Sequence, residues 1–335
     1  MKKKSVTIFF ICLIIFILSI GATSASSLKI KEKNENIKII LDKITIYVDD
    51  DNTEGPWDGT LEHPYQYIQD GINNSENGYI IFVFEGRYHE NLRISKSIEL
   101  IGKNTDSTII EKNGSDYTIL VYTDNVQISH FTMIKSAGNP QNAKVILNIK
   151  NSSNCEIFEN KFIGTNIWKS ILLKGTENTK IKNNEIRNHG INLFESSNNN
   201  IVENNILYGD GIFIYESSFN SVRYNDISNV GKNDNGIFIT YKNSQSNIIS
   251  YNTIRNCHTG IHITSNGNNI THNNIISTKK QATIKCSDNF WSNNYWGRPR
   301  VFPKVLFGIS YISHPTGGEW KFYLDYDMNP ALVKN

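Results

Sequence analysis

From residue 157 onward, two short apolar patterns take turns along the chain. The first reads Ile-x-x-Asn-x-Ile. It appears as "IFENKF" (157–162), "IKNNEI" (181–186), "IVENNI" (201–206), "VRYNDI" (222–227), "ISYNTI" (249–254), "ITHNNI" (270–275) and "FWSNNY" (290–295). The second lies between these copies: "SILL" at 170, "GINL" at 190, "GIFI" at 211 and 236, "GIHI" at 260 and "QATI" at 281. Alternation of apolar and variable positions is the period-two mark of a β-strand, and no unit leaves room for a long helix. The anchoring Asn falls at Asn160, Asn184, Asn204, Asn225, Asn252, Asn273 and Asn293, a period of about 22 residues that marks a stacked repeat. "ISHFTM" (128–133) is an earlier copy with Phe131 in the Asn slot.

Short strands at this period predict an all-β, single-stranded parallel β-helix of about ten coils, each adding a rung about 4.8 Å above the last. Like residues of successive coils then stand above one another. Ile and Leu columns fill the interior. A stacked Asn passes amide hydrogen bonds along its column, and Asn tolerates the left-handed backbone that a sharp corner needs. The Asn column is therefore read as structural.

Two flanking stretches add to the pattern. "IYVDDDNTEGPWDGTLEHPYQYIQDGIN" (46–73) and "GYIIFVFEGRYHENLRISKSIELIGKN" (78–104) precede the repeats; "NYWGRPRVFPKVLFG" (294–308) and "LDYDMNPA" (324–331) follow them. Together these segments resemble the right-handed β-helices of the pectin-lyase-like superfamily. Within it they are similar to the NosD-like repeat group, found in a periplasmic copper-accessory protein and in archaeal and bacterial surface proteins. The likeness covers residues 45–331 and implies a fold rather than an activity.

Residues 1–25 read as a secretory signal: Lys2, Lys3 and Lys4, then an apolar run from Val6 to Ile20, then small residues at 22–25. The run is short for a membrane span of ~20 residues, so an uncleaved anchor is the lesser alternative. Membrane attachment is expected only through it, and the protein is expected to be secreted or at the cell surface. Residues 26–44 read as a charged linker, 45–296 as the β-helix and 297–335 as a C-terminal cap. "PYQYIQDGINN" (64–74) is expected to form a short capping helix, since an open solenoid end exposes unpaired strand edges. With 34 basic and 32 acidic residues the net charge is +2, which gives no footprint for nucleic acid. Cys12 lies in the signal; Cys155, Cys257 and Cys286 leave an odd number, so disulfides do not hold the fold. Sequons at Asn73, Asn113, Asn151 and Asn269 are glycosylation candidates.

The longest insertions, around "GTNIWK" and "SNVGKNDN", gather at the corner that opens the Gly-Ile strand, where solenoids place binding loops. His189, Asp210, Asp234 and His258 lie there on successive coils and are the catalytic candidates. "NHGI" and "GDGI" resemble pieces of polygalacturonases, but in the wrong order, with no paired-Asp motif or Arg-x-Lys after them. The catalytic motifs of pectin methylesterases are missing too. Alternation turns Phe213, Phe238 and His262 outward in one column with Asn192, and Tyr215 lies nearby. Such a row suits a sugar, whose apolar face stacks while its hydroxyls meet polar side chains. Asp49, Asp50 and Asp51, and the pair Glu195 and Glu216, are candidate Ca²⁺ ligands set against solvated turns. The resemblance implies copper, but His262 and His272 have no evident third ligand, so copper is not expected. The leading expectation is a non-catalytic surface protein that binds glycan or a cell-envelope partner. The alternatives are a lyase or hydrolase of uronate polymers, or a structural envelope component.

Overall fold

The computed structural model describes residues 28–31, 38–41, 44–112, 116–136, 145–165, 167–231, 234–314 and 317–335. The chain divides into two units at Ile44 and Thr45. In the first, Leu28–Lys31 pairs antiparallel with Lys38–Leu41, so the segment read as a linker contains a two-stranded ladder. The signal segment lies outside the described residues.

The second unit is a right-handed parallel β-helix with three strands per turn, where the sequence pattern suggested two. The Ile-x-x-Asn-x-Ile unit is not one strand. It is the end of one strand, a corner and the start of the next, as in Lys180–Lys182 and Glu185–Arg187 with Asn184 between them. The Gly-Ile pattern supplies the third, Ile191–Phe194 in the same turn. The first sheet runs from Thr45–Val48 to Phe290–Ser292, the second from Gly86–Tyr88 to Asn274–Ile276, and the third from Leu92–Ile94 to Lys280–Ile284. The second and third sheets each have nine strands, so the described residues complete nine turns against the ten expected.

Pairing joins like slots. Ile181, Ile201 and Val222 are register partners in the first sheet. Ile186, Ile206 and Ile227 are partners in the second, and Leu193, Ile214 and Ile239 in the third. All nine are fully buried. Each contributes roughly 1.5–3 kcal/mol of hydrophobic stabilisation. One such side chain per short strand is enough to fill a narrow tube.

The corner between the first and second sheets carries the Asn ladder. Asn184 Oδ1 accepts from the backbone N of Asn160 at 3.1 Å and from its Nδ2 at 3.2 Å. Asn184 in turn donates both groups to Asn204 Oδ1, at 3.1 and 3.0 Å. The same pair of bonds repeats through Asn225, Asn252 and Asn273. Phe131 heads the column, its N–H donating to Asn160 Oδ1 at 3.0 Å. The last rung is Asn294, not Asn293: Asn273 donates to Asn294 Oδ1. The reason is register, because Trp291 rather than Phe290 pairs with Ile270.

Asn293 belongs to a different column. The left-handed conformation falls on the residue before each ladder Asn, as at Glu203 (φ 56°), Tyr224 (57°), Tyr251 (57°) and Asn293 (55°). The ladder Asn residues thus hold the corner by hydrogen bonds, while their neighbours bear a backbone strain of roughly 1–2 kcal/mol each. A second ladder, missed in the sequence, joins Asn199, Asn220, Asn247, Asn268 and Asn289. Each member stands five positions before a first-ladder Asn, a spacing visible in the chain.

Both ends are closed. Ile68–Asn73 is a short helix that buries Ile68 and Ile72; Glu90 accepts the N–H groups of Ile68 and Gln69 at 2.8 and 2.9 Å. At the other end Lys304–His314 and Gly317–Asp327 form an antiparallel hairpin that joins the first sheet where Trp291 meets Asp327. Buried Asp327 terminates the Asn ladder: its Oδ2 accepts from Asn294 N and Nδ2, both at 3.1 Å, and from Trp296 Nε1 at 2.9 Å. Among the sequons, Asn73, Asn151 and Asn269 are exposed and Asn113 lies outside the described residues.

Candidate functional site

The insertions after "GTN" and before "GIFI" build one edge of an open groove of about 400 Å³ on the third sheet. Lys169, Asp210 and Asp234 line that edge. Asn192, Phe194, Phe213 and Phe238 line its floor and far side.

The strand register sorts the catalytic candidates. Ile171, Ile191 and Ile212 are partners on successive turns, so Lys169, His189 and Asp210 share the slot two positions earlier. Ile237 and Ile261 continue that column, and Asn235 and Thr259 fill the equivalent slot. Asp234 and His258 therefore stand one position out of line, and the four candidates do not form a single row. Lys169 is the member that the sequence reading missed. It sits two residues before "ILL", in the same slot as His189, which is a positional signal without a motif.

Lys169 Nζ donates to Asp210 Oδ2 at 2.8 Å, reaching past the intervening turn that carries His189. Burial pushes the His189 imidazole below its ordinary value, and Asp210 opposes that shift while Lys169 adds to it. Gly164 leaves the space for this ring, since a Cβ there would come within 3.0 Å of His189 Cδ2. Asp234 is pushed the other way: burial first and Asp210 second raise its carboxyl above the usual range.

The residues read as one outward column share a register, although Asn192 at its start is buried. Asn192 pairs with Phe213, Phe213 with Phe238, and Phe238 with His262 on four successive turns. Phe194 and Phe213 lie 5.6 Å apart, Phe213 and Phe238 5.2 Å, and Phe238 stacks on His262 at 4.4 Å with 14° between the rings. Tyr215 adjoins Phe194 at 5.2 Å and Tyr241 at 4.7 Å. The C-terminal hairpin does not cover this column: Phe213 and Phe238 stay partly exposed in the groove, and the hairpin backs onto Ile284 at the end of the stack. Asn192 is 1 % exposed, yet its Oδ1 has no hydrogen-bond partner among the described residues. A buried amide oxygen left this way costs about 1–3 kcal/mol.

His262 Nε2 is likewise buried without a hydrogen-bond partner among the described residues. Burial, then Lys285 and Lys280, push the His262 imidazole down to about 4. The unfolded chain takes up a proton near pH 6.5, whereas the folded chain resists until about pH 4. Stability is therefore full above pH 6.5 and falls as pH drops from there to 4, by about 3 kcal/mol at most. His262→Phe, which keeps the stack on Phe238, should remove most of that slope. Urea unfolding of both forms at pH 7 and pH 4.5 checks it, and equal slopes would refute it.

The metal candidates do not assemble. Asp49 Oδ1 accepts from Asp51 N at 3.1 Å and Asp50 Oδ2 from Arg87 N at 2.9 Å, so this acidic run serves its own turn. Glu195 and Glu216 do adjoin on consecutive turns, both in left-handed corners. Among the described residues no three His, Cys, Asp or Glu side chains converge. Cys155, Cys257 and Cys286 are unpaired and buried, and burial pushes each thiol up to about 11, away from the thiolate that binds metal. Among the described residues no helix is long and apolar enough to cross a membrane.

Among solved structures the chain is similar to a GH87 α-1,3-glucanase catalytic domain in complex with nigerose. The identity is 10 %, 71 % of this chain and 52 % of that one are covered, and the TM-score is 0.46. This chain thus spans about half the length of that domain. It is also similar to pectin methylesterase PemA from Erwinia chrysanthemi (12 %, 83 % and 85 % covered, TM-score 0.37). An alginate lyase from Paenibacillus sp. matches at 14 %, with 75 % and 95 % covered and a TM-score of 0.36. No curated protein matches the chain. The family model described as periplasmic copper-binding protein (NosD) matches residues 99–312, well over half of the sequence, and the chain belongs to that family.

Proposed function

We propose that this protein binds a glycan, in the cell envelope or outside the cell, along the groove of its third sheet. The observation that carries this reading is the aromatic floor of the groove. Phe213 and Phe238 are partly exposed there with ring centroids 5.2 Å apart, between a polar edge of Lys169, Asp210 and Asp234 and the groove mouth. Exposed ring faces beside polar side chains suit a sugar, whose apolar face stacks while its hydroxyls meet polar groups. Charge narrows the class. The Lys169 ammonium is already paired with Asp210, and Asp234 adds a second carboxyl to the edge. A uronate chain would meet those carboxyls, so a neutral polysaccharide fits better than an acidic one. The described residues do not supply a copper donor set, and no copper role is proposed.

Titration calorimetry against neutral and uronate envelope polysaccharides tests the reading. Phe213→Ala/Phe238→Ala should weaken binding of a neutral polymer at least about tenfold, the effect of losing stacking worth about 1.4 kcal/mol. Equal binding by the parent and this variant would overturn the proposal. The alternative of a glycoside hydrolase rests on Asp234, a carboxyl raised in pKa beside one held in an ion pair, which is the pattern of an acid with a separate base. Release of reducing ends from the same polymers, lost in Asp234→Asn, would favour it over simple binding.

A further inference from the structure

The C-terminal hairpin is amphipathic in a way that the end cap alone does not require. One face closes the stack. It carries buried Leu306, Asp325 and Asp327, and Gly308, where an added Cβ would strike Ile284 O at 1.7 Å. The other face carries Val305, Phe307 and Ile309 from one strand, exposed by 51, 58 and 44 %. From the other strand it carries Trp320, Phe322, Leu324 and Tyr326, exposed by 62, 61, 48 and 47 %. Strand alternation puts all seven on one side, and none is charged.

We propose that this face is the contact between two copies of the chain, packed face to face across a two-fold axis. Area is the first argument. With aromatic side chains offering about 150–250 Å² each, the seven expose on the order of 600–700 Å² together, at or above the largest patch of an ordinary monomer. Two copies would bury about 1,300 Å², within the range of a specific stable interface. Shape is the second. Val305 stands opposite Tyr326, Phe307 opposite Leu324 and Ile309 opposite Phe322, so each of these three cross-strand pairs joins one aliphatic to one aromatic residue. A two-fold partner sets aromatic against aliphatic, the alternation by which two apolar layers interdigitate. Charge is the third. Elements that insert into a lipid surface carry basic residues beside their apolar face. Here the two lysines of the hairpin turn to the other face, Lys304 over the Trp296 ring at 5.8 Å and Lys321 over Tyr323 at 5.9 Å.

Sedimentation velocity on the full chain, compared with Phe307→Glu/Phe322→Glu, tests the proposal. Both side chains are exposed, so the variant should keep the parent's far-ultraviolet spectrum and unfold cooperatively, with a midpoint lowered only by the lost association. The parent is expected to sediment as a dimer at tens of micromolar, and the variant to dissociate at least tenfold more readily. Comparison with the variant isolates this face from any association through residues 1–44. A parent that is monomeric at that concentration would overturn the proposal, as would a variant that associates equally well. A monomeric parent that co-sediments with phosphatidylglycerol vesicles, while the variant does not, would overturn it in favour of a membrane contact. The groove lies on the third sheet, so glycan binding should be the same in both forms.

Discussion

Asn225→Leu is expected to cost this protein about 4 kcal/mol or more, enough to leave much of the chain unfolded at 37 °C. Leucine matches asparagine in the number and branching of its side-chain heavy atoms and would be read as conservative in an Ile-rich tube. The hydrogen bonds decide otherwise. Asn225 Oδ1 accepts from Asn204 N and Nδ2, both at 3.0 Å. Its Nδ2 donates to Ile201 O at 2.9 Å and to Asn252 Oδ1 at 2.9 Å. The substitution strands the Asn204 backbone N–H on the turn below, takes the amide donor from Ile201 O, and leaves Asn252 Oδ1 on the turn above with the Asn225 backbone N–H alone, losses of about 1–3 kcal/mol for each group left unpaired. It also breaks a chain of bonds that polarise one another. Urea unfolding monitored by circular dichroism measures the effect. A loss below about 1 kcal/mol would mean that the column is decoration on an apolar stack and not its framework.

Asp327→Ala should produce the second largest effect, and a different kind of one. Every ladder amide points its oxygen down toward Phe131 and its nitrogen up toward the C-terminal end. The column thus finishes in two unsatisfied donors on Asn294, and the Trp296 indole adds a third. A carboxylate is the natural acceptor there, for the same reason that Asp caps the amide end of a helix. Removing it leaves the Asn294 N–H and the Trp296 indole without an acceptor, leaves Asn294 Nδ2 with Ile270 O alone, and weakens the hold on the hairpin, a loss of about 3 kcal/mol or more. In a solenoid each turn touches only its neighbours, so the damage should stay local. Hydrogen exchange is expected to accelerate in the last turns, near 269–296, and hardly at all in the turns near 92–121. Asp327→Asn, which keeps an acceptor oxygen but loses the charge, should fall between. Uniform acceleration along the whole stack would contradict the capping role.

The chain by itself determined the repeat, the inward columns and most of the ladder. In a parallel β-helix the residue above is the one that follows at one period, so neighbours in space can be counted off in sequence. Ile186, Ile206 and Ile227, or Phe213 and Phe238, needed only correct counting. Where the counting was off by one, the assignment followed: "FWSNNY" set Asn293 in the ladder, and the pairing of Ile270 with Trp291 moved the role to Asn294. The number of strands per turn was hidden for a related reason. A corner of one or two residues between three-residue strands leaves the same alternation as a single longer strand.

Only the tertiary structure decided what happens away from that period. Lys169 and Asp210 are 41 positions apart and meet because a long side chain crosses the turn between them. Asp234 and His258 drop out of the row of His189 and Asp210 because the insertions shift their slot by one. Asp327 reaches Asn294 because a hairpin folds back over the end of the tube. A repeat encodes contacts at its own spacing; insertions, long side chains and a returning hairpin make contacts at every other spacing, and no periodic signal records them.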